Sequence, residues 1–389
     1  MPDTALSGGG GLLALSDEQR DFVEAVRDFC ARECSGERLR ELTGGFEDLH
    51  SKEIAKRMAE LGWLGLTIPE EYGGSGGSFL DAALFLEESA RGEAPIGAYG
   101  VTLIVVGALR RFGSEDQRRE LLGRAAAGGA LAIAMSEAEA GSDVAALATS
   151  ARREDGEWVL DGSKMWCSYA HKASHILVVC RTGNGGSRHE GISMVFVPRE
   201  ADGLTITPIS TLGGEETNEL HFEGCRVPEG ALLGEEGGGW TQLMAGLNNE
   251  RVILGALALG LAQRAFDEAL AYAKERRQFG RPIGSFQAIS HTFAELATDL
   301  VQARLLLRWV ARLTDEEPDR VLAREASMVK LATTELAKRC ALEGMQIMGG
   351  YGYATEYPME RYLRSAVVTT IFGGTSEIQK NIIAKTLGL

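Results

Sequence analysis

The sequence predicts an α+β multidomain protein in which an α-helical region, a β region and a second α-helical region follow one another. Apolar residues recur at helical spacing near the start, short β-rich segments bounded by turn residues fill the middle, and long helical runs return after them. The 389 residues are enough for two or three domains. We therefore predict an N-terminal α-helical domain over residues 1–128, a middle β domain over 129–236 and a C-terminal four-helix bundle over 237–389.

The N-terminal domain is predicted from a helix start signal and from apolar periodicity. Ser16 and Gln19 have the spacing of a capping box, and apolar residues follow them at helical spacing. Residues 1–15 are rich in glycine and lack the basic and apolar segments of a signal peptide or membrane anchor, so we expect a flexible tail. Four further helices are predicted at Lys52–Leu61, Leu80–Gly92, Ala98–Phe112 and Glu115–Ala127.

The middle domain is predicted from a hairpin and a series of short strands. Asp155-Gly156 accepts the positive φ angles of a tight hairpin turn and separates two β-rich segments. The predicted strands are Ala151–Glu154, Trp158–Leu160, Ile176–Cys180, Ser193–Val197, Leu204–Ile209 and Glu219–Phe222.

The C-terminal domain is predicted from three long helical runs, Trp240–Glu275, Ser285–Leu313 and Asp319–Met348. A shorter helix after Gly374, with a capping box at Ser376 and Gln379, completes a four-helix bundle. The order of the regions argues against a doubly wound nucleotide-binding fold. No G-x-G-x-x-G segment follows a strand, and no Walker A sequence occurs.

The composition favours a small-molecule or protein partner. A formal net charge of −15 argues against nucleic acid and against an anionic membrane, since both select clustered basic residues. The six scattered cysteines suit a reducing compartment, and we expect a cytoplasmic protein. Cys30 and Cys34 lie one helical turn apart, but no second pair follows at zinc spacing, so no metal site is predicted. His171 and His175 are interpreted as turn or interface residues.

Six ordered segments resemble the acyl-CoA dehydrogenases from about residue 16 to the C-terminus. The resemblance implies an N-terminal α-helical domain, a β-barrel-like middle domain, a C-terminal four-helix bundle and FAD as the cofactor. It also implies at least a dimer, and we expect a homotetramer, because the family binds FAD between the β domain, its own bundle and the bundle of a neighbouring subunit. The segments are 64–74 (LGLTIPEEYGG), 136–143 (SEAEAGSD), 162–166 (GSKMW), 275–280 (ERRQFG), 346–352 (QIMGGYG) and 374–379 (GTSEIQ).

The resemblance also implies which residues bind FAD. A first group would contact the isoalloxazine ring, where hydroxyl and N–H donors favour the negative charge that collects on the reduced ring. A second group would hold the adenosine diphosphate half, where an arginine suits the pyrophosphate and glycines allow close backbone approach. The first group is Met135, Ser136, Trp166 and Ser168; the second is Arg276, Phe279, Gln287, Gln346, Gly349 and Gly350; Thr375 and Glu377 complete the set at the start of the last helix.

The catalytic base is where this sequence departs from the commonest family pattern. Many members carry a glutamate directly before Gly-Thr-Ser, but Gly373 stands there. A subgroup that includes isovaleryl-CoA dehydrogenase supplies its glutamate from the first bundle helix, and Glu250 aligns with that position. The resemblance therefore implies Glu250 as the base, the Gly373 N–H as a donor to the thioester oxygen, and Ser142, Asn248 and Arg251 as substrate contacts.

Three functions remain open at this level. The first is α,β-dehydrogenation of an acyl-CoA, with electrons passed to an electron-transferring flavoprotein. The second is the same reaction on an acyl or aminoacyl group tethered to a carrier protein. The third, from another class, is a non-catalytic partner subunit in a heteromeric assembly; oxidase and nitrogen-oxidising relatives are minor alternatives.

Overall fold

The computed structural model describes residues 14–46, 48–183 and 187–389. The described residues form two compact units, one within residues 14–38, 78–94 and 251–389, which we call the bundle unit, and one within residues 39–77 and 95–250, which we call the sheet unit. Of the predicted tail, residues 1–13 lie outside the described residues, while Leu15 is buried. Within the described ranges, no helix is long and apolar enough to cross a membrane.

The helices begin and end close to the positions that their sequence signals indicate. Ser16 caps the first helix by accepting from the Gln19 N–H at 3.1 Å, and the Gln19 side chain accepts from the Ser16 N–H, so the predicted capping box is confirmed. In chain order the helices are α1 (Asp17–Glu33), α2 (Gly36–Leu42), α3 (Lys52–Glu60), α4 (Phe79–Arg91), α5 (Gly97–Phe112), α6 (Glu115–Gln117), α7 (Gly123–Ala126), α8 (Gly239–Glu275), α9 (Gln287–Glu316), α10 (Ala323–Met348), α11 (Gly350–Tyr353), α12 (Met359–Thr369) and α13 (Ser376–Thr386).

Among the described residues, eight strands form one sheet and two more form a short hairpin. The strands are β1 (Leu131–Ala134), β2 (Ser150–Glu154), β3 (Glu157–Ser168), β4 (His175–Arg181), β5 (Ile192–Pro198), β6 (Leu204–Thr211), β7 (Gly214–Pro228), β8 (Leu232–Leu233), β9 (Arg277–Gln278) and β10 (Arg281–Pro282). In the sheet the order is β6-β7-β3-β2-β4-β5-β8, with β1 pairing in parallel with β4. The order of helices, sheet and helices confirms the predicted fold class.

The predicted hairpin turn forms as expected. Glu154 pairs with Glu157, and the two residues between them, Asp155 and Gly156, have φ angles of 51° and 82°. Both angles lie in the left-handed region that this turn type requires.

Both faces of β4 are buried in the sheet unit. Leu177 and Val179 pack into one apolar cluster with residues of α5, while Ile176 and Val178 pack into a second cluster with residues of β3 and β7. Strand residues alternate between faces, so a strand covered on both sides reads as the continuous apolar run seen here.

The structure differs from the sequence prediction at the start of α13. The predicted capping box at Ser376 and Gln379 is wrong, because Thr375 is the cap and accepts from the Ile378 N–H at 3.3 Å. The Ser376 hydroxyl donates to Glu335 on α10 at 2.5 Å instead. A tertiary partner therefore decides which of two adjacent hydroxyls caps the helix.

Seven of the helices and strands given above were not predicted: α2, α11, α12, β1, β8, β9 and β10. Helices α1 and α4 belong to the bundle unit together with α9 and α10, while α3 and α5 belong to the sheet unit. The compact units thus cut across the predicted boundary at residue 128. The three-domain division remains a prediction.

Candidate active site

The indole of Trp166 is displayed by a bulge in β3. Between the pairs Lys164–Leu220 and Cys167–Asn218, β3 has one residue more than β7. Trp166 lies in this bulge with a φ of 62°, and 56% of its side chain is exposed. A bulky residue rarely adopts such a backbone, and the strain is most often found where function requires it. The bulge therefore leaves the indole of Trp166 exposed at the surface of the sheet unit.

A buried ion pair fixes the segment that precedes Trp166 in space. The ammonium of Lys164, which is fully buried, donates to the Met135 carbonyl at 3.0 Å and to Glu137 at 2.7 Å. The Met165 N–H donates to the Ser136 carbonyl at 2.9 Å. The structure thus brings the predicted residues Met135 and Ser136 against the strand that carries Trp166.

Glu137 is held as a carboxylate by donors from two directions. Burial by itself raises the pKa of Glu137, but the Lys164 ammonium and the backbone N–H groups of Ala148 and Thr149 outweigh it, and the net pKa lies below the ordinary value. The two N–H groups donate at 2.6 and 2.9 Å. An ion pair with this many hydrogen bonds is a rigid support, because protein groups hold both partners directly.

Ser168 lies at the end of β3 beside a buried hydroxyl without a hydrogen-bond partner in the described ranges. It pairs with Thr217 on β7, and the buried Thr217 hydroxyl has no hydrogen-bond partner among the described residues. His171 follows in a turn, with its Nδ1 at 2.9 Å from Asn218 Oδ1, and His175 begins β4. The turn predicted for the two histidines is confirmed for His171, whereas His175 lies in a strand.

In the bundle unit, a short hairpin displays two of the predicted residues. Arg276 and Phe279 are both exposed, and Phe279 occupies the turn between β9 and β10 with a φ of 52° and 94% of its side chain exposed. Its ring lies 6.1 Å from that of Phe286, next to the exposed Gln287 that begins α9. The structure thus brings Phe279 and Gln287 to one surface, together with Arg276 at the base of the hairpin.

The glycines after α10 leave open space where a side chain would be. A Cβ added to Gly349 or Gly350 would meet nothing within 4 Å, and Gly349 has a φ of 61°. Gln346 is exposed one turn earlier on α10. The guanidinium of Arg276 lies 5.5 Å from the ring centre of Tyr351, so this exposed segment lies near the hairpin.

Thr375 and Glu377 lie at the N-terminus of α13. The hydrogen bond of Glu377 with its own backbone N–H and that with the Thr375 hydroxyl hold the pKa of the Glu377 carboxyl below its ordinary value. Two glycines precede the cap, Gly373 with a φ of 61° and Gly374 with a φ of 85°.

The predicted base and two of the predicted substrate contacts are buried, whereas the third substrate contact is exposed. Glu250 lies on α8 with only 4% of its side chain exposed, and the nearby Asn248 and Arg251 are each 8% exposed. Ser142, by contrast, is exposed in the turn after β1. A buried glutamate is unusual on a helix, because charged side chains are almost never buried unless they have a role or a partner.

Comparison with known proteins identifies the group to which these residues belong. Sequence models of the acyl-CoA dehydrogenase N-terminal, middle and C-terminal domains match residues 16–129, 132–225 and 237–388. The chain belongs to the acyl-CoA dehydrogenase family. It is therefore an FAD-dependent oxidoreductase that acts on CH–CH donors.

Several relatives match this chain over nearly its full length. The probable acyl-CoA dehydrogenase YngJ of Bacillus subtilis is 39% identical over 381 residues, with 96% of this chain and 98% of the relative covered. The solved acyl-CoA dehydrogenase of Geobacillus kaustophilus is 32% identical with a TM-score of 0.90, covering 96% and 99%. The prolyl acyl carrier protein oxidase AnaB is 28% identical with a TM-score of 0.88, covering 97% and 100%.

Each of the two units has residues that fit one part of FAD. The sheet unit offers the exposed indole of Trp166 and the partnerless hydroxyl of Thr217 next to Ser168, which suit a planar ring with polar edges. The bundle unit offers the exposed guanidinium of Arg276 and the open space at Gly349 and Gly350, which suit a pyrophosphate.

We expect Trp166→Gly to weaken FAD binding by about fivefold through the loss of stacking, because stacking on an aromatic ring contributes ~1 kcal/mol beyond buried area. The apoprotein should nevertheless be as stable as the wild type or more stable by about 1 kcal/mol, since glycine relieves the left-handed strain at φ 62°. Fluorescence titration of apoprotein with FAD and denaturant unfolding measure the two effects. Trp166→Phe, which keeps both the ring and the strain, is the matched control. FAD affinity unchanged in the glycine variant would contradict the assignment.

The sequence interpretation gave no role to two buried lysines near the predicted residues. Lys164 and Lys330 are both among the largest fully buried side chains. A signal existed for Lys330, because the residues at i−4, i+3 and i+7, Ala326, Thr333 and Ala337, predict that it lies on the buried face of α10. What each lysine contacts could be seen only in the structure.

Proposed function

We propose that this enzyme oxidises an acyl-CoA thioester to the trans-2-enoyl thioester, with Glu250 as the base that removes the α-proton. The proposal rests on which residues stand at the two positions where the family can carry its catalytic glutamate. Gly373, which has no side chain to remove a proton, stands where many family members have their glutamate, while Glu250 is an almost fully buried carboxylate at the alternative family position.

The buried state of Glu250 suits proton abstraction. A carboxylate that water does not reach is a stronger base than the same group in water, and thioester α-hydrogens are only weakly acidic. The long helix α8 holds the residue rigidly, because its backbone is hydrogen-bonded through 37 residues. The backbone that carries Glu250 is therefore ordered before the substrate binds.

Removal of the α-proton places negative charge on the thioester oxygen, and a fixed donor must stabilise it. We assign this role to the backbone N–H of Gly373, which depends on the conformation of the loop and not on a side chain. Replacement of the usual glutamate by glycine thus removes the base at this position and keeps the donor.

Bound FAD supplies the hydride acceptor for the β-hydrogen, at its N5 atom. Within the chain, Met135, Ser136, Trp166 and Ser168 would hold the isoalloxazine ring. The adenosine diphosphate half would be held by Arg276, Phe279, Gln287, Gln346, Gly349 and Gly350, with Thr375 and Glu377 at α13. Ser142, Asn248 and Arg251 would contact the substrate thioester and its carrier arm.

Assembly and electron transfer are part of the same proposal. We propose a cytoplasmic homotetramer, in which residues 346–352 complete the FAD site of a neighbouring subunit, and an electron-transferring flavoprotein as the acceptor of the electrons. The exposure of Gln346, Gly349 and Gly350 supports a role for this segment outside its own fold.

A second candidate substrate is an acyl or aminoacyl group on a carrier protein. It is favoured by the likeness to the prolyl acyl carrier protein oxidase AnaB, which covers 97% of this chain. The two substrates share the thioester and the phosphopantetheine arm, so they use the same base and the same oxygen donor. They differ in what the far end of the arm is attached to, which is the rest of coenzyme A in one case and a carrier protein in the other.

An anaerobic substrate panel tests the proposal. Holoenzyme is mixed with straight, branched and ring-containing acyl-CoAs and, in parallel, with the same acyl groups loaded on an acyl carrier protein, and flavin bleaching is followed. Bleaching by at least one free acyl-CoA supports the first substrate class, and bleaching by carrier-loaded groups alone supports the second. No bleaching by any thioester would overturn the proposed function, and would favour the non-catalytic subunit.

A further inference from the structure

The loop that contains Gly373, whose N–H is the proposed donor to the thioester oxygen, can change its backbone conformation easily. Gly373 and Gly374 have consecutive positive φ angles, which glycine adopts at little cost and also leaves at little cost. The Ser376 N–H donates to the Thr370 carbonyl at 3.1 Å and closes the ends of the loop. This bond does not hold the two glycine peptides between its ends. Their orientation needs support from elsewhere in the bundle unit.

That support comes from two completely buried side chains. The Lys330 ammonium, on α10, donates to the Gly374 carbonyl at 2.8 Å. The Gln379 amide, on α13, donates to the same carbonyl at 2.9 Å and to the Gly373 carbonyl at 3.2 Å. The two peptides that follow Gly373 are therefore held, and the Gly373 N–H, which belongs to the preceding peptide, is restrained through the backbone angles of Gly373.

Burial of a lysine at this place is costly and demands a reason. An ammonium taken out of water loses several kcal/mol of hydration, which only good hydrogen bonds offset, and lysine is almost never fully buried. A carbonyl that receives a charged donor is held more strongly than one that receives a neutral donor. Gln379 also packs closely against the loop, since a Cβ added to Gly374 would lie 2.7 Å from the Nε2 atom of Gln379.

We propose that Lys330 is a positioning residue for the oxidation, which acts by fixing the Gly373–Gly374 loop so that the Gly373 N–H is directed at the thioester oxygen. The inference rests on the proposed function, because it assumes that this N–H stabilises the enolate. Lys330 touches neither the reacting atoms nor the cofactor in this role. It acts through the Gly374 carbonyl, together with Gln379.

The test uses a ligand that reports the enolate directly. Acetoacetyl-CoA loses its α-proton to give an absorbing enolate and needs no hydride transfer, so its pKa on the holoenzyme measures how well the site stabilises the negative oxygen. Lys330→Met keeps the length and apolar stem but removes the donor. We expect it to raise the pKa of the bound ligand by about one unit, a tenfold weaker stabilisation of the enolate. Flavin reduction by a substrate should slow by about tenfold, less than the ~10²–10³ of losing a whole donor.

The controls separate positioning from general stability. Lys385→Met, at an exposed site on α13, should leave the ligand pKa unchanged. Gln379→Met should shift it in the same direction as Lys330→Met, and the double variant should shift it by less than the sum, because both side chains hold one carbonyl. If Lys330→Met does not fold, Gln379→Met decides by the same measurement.

The outcomes test the positioning role of Lys330 separately from the proposed oxidation. A wild-type pKa and reduction rate in the Lys330→Met holoenzyme would overturn the positioning role and leave the proposed function intact. A wild-type holoenzyme that binds acetoacetyl-CoA without forming the enolate would overturn the proposed function itself.

Discussion

Glu250→Gln should abolish flavin reduction by acyl thioesters while the holoenzyme keeps its FAD and its fold. The amide keeps the size of the buried side chain, so packing around α8 is preserved. Loss of a general base typically lowers a rate by ~10²–10⁴-fold, and we expect the upper end, because Gly373 offers no substitute carboxylate. Anaerobic stopped-flow absorbance measures the effect.

Two further variants define what that result means. Glu268→Gln makes the same change on the same helix, in a half-exposed pair with Arg264, and should reduce at the wild-type rate. Gly373→Glu in the Glu250→Gln background places a carboxylate at the commoner family position. Its φ of 61° makes a glutamate strained there, so we expect only a small recovery. A Glu250→Gln enzyme that reduces at the wild-type rate would show that another group is the base.

Lys164→Met should destabilise the apoprotein by about 3 kcal/mol, because it leaves the Glu137 carboxylate buried without its cation. It should also weaken FAD binding, since the Met135 carbonyl loses the donor that fixes it beside β3. Denaturant unfolding and FAD titration of the same preparations measure both effects.

Lys56→Met is the matched control for the ion pair. Lys56 and Glu60 form an exposed pair on α3 at 3.9 Å, and such pairs contribute at most ~1 kcal/mol. Equal losses of stability in the two methionine variants would contradict the structural role assigned to Lys164.

Local chemistry made much of the fold predictable from the sequence. The Asp155-Gly156 turn and the Ser16 cap depend on residues within a few positions, so their signals are complete in the sequence. Strand β1 was missed because four apolar residues buried on both sides show no alternation, and its partner β4 lies more than forty residues away. The cap of α13 was misplaced for the same kind of reason, since Glu335 on α10 takes the Ser376 hydroxyl.

For the candidate site, the sequence predicted which residues touch the ligands, and the structure was needed to find what the buried lysines near them contact. Resemblance named the residues expected to touch cofactor or substrate, and the structure shows Glu250 buried and Trp166 displayed on a strained bulge. The contacts of the two buried lysines were not predicted. Lys164 and Lys330 donate to the backbone carbonyls of Met135 and Gly374, and a carbonyl carries no side-chain signature in a sequence.

Exchange of the substrate α-hydrogens with solvent tests the central claim most directly, because it observes proton abstraction by itself. Wild-type and Glu250→Gln holoenzymes are incubated in D₂O with an acyl-CoA that bleaches the wild-type flavin, and deuterium at the α-carbon is followed by NMR or mass spectrometry. We predict that the wild type incorporates deuterium and that the variant does so at least ~10²-fold more slowly. Incorporation by Glu250→Gln at the wild-type rate would contradict the assignment of Glu250 as the base.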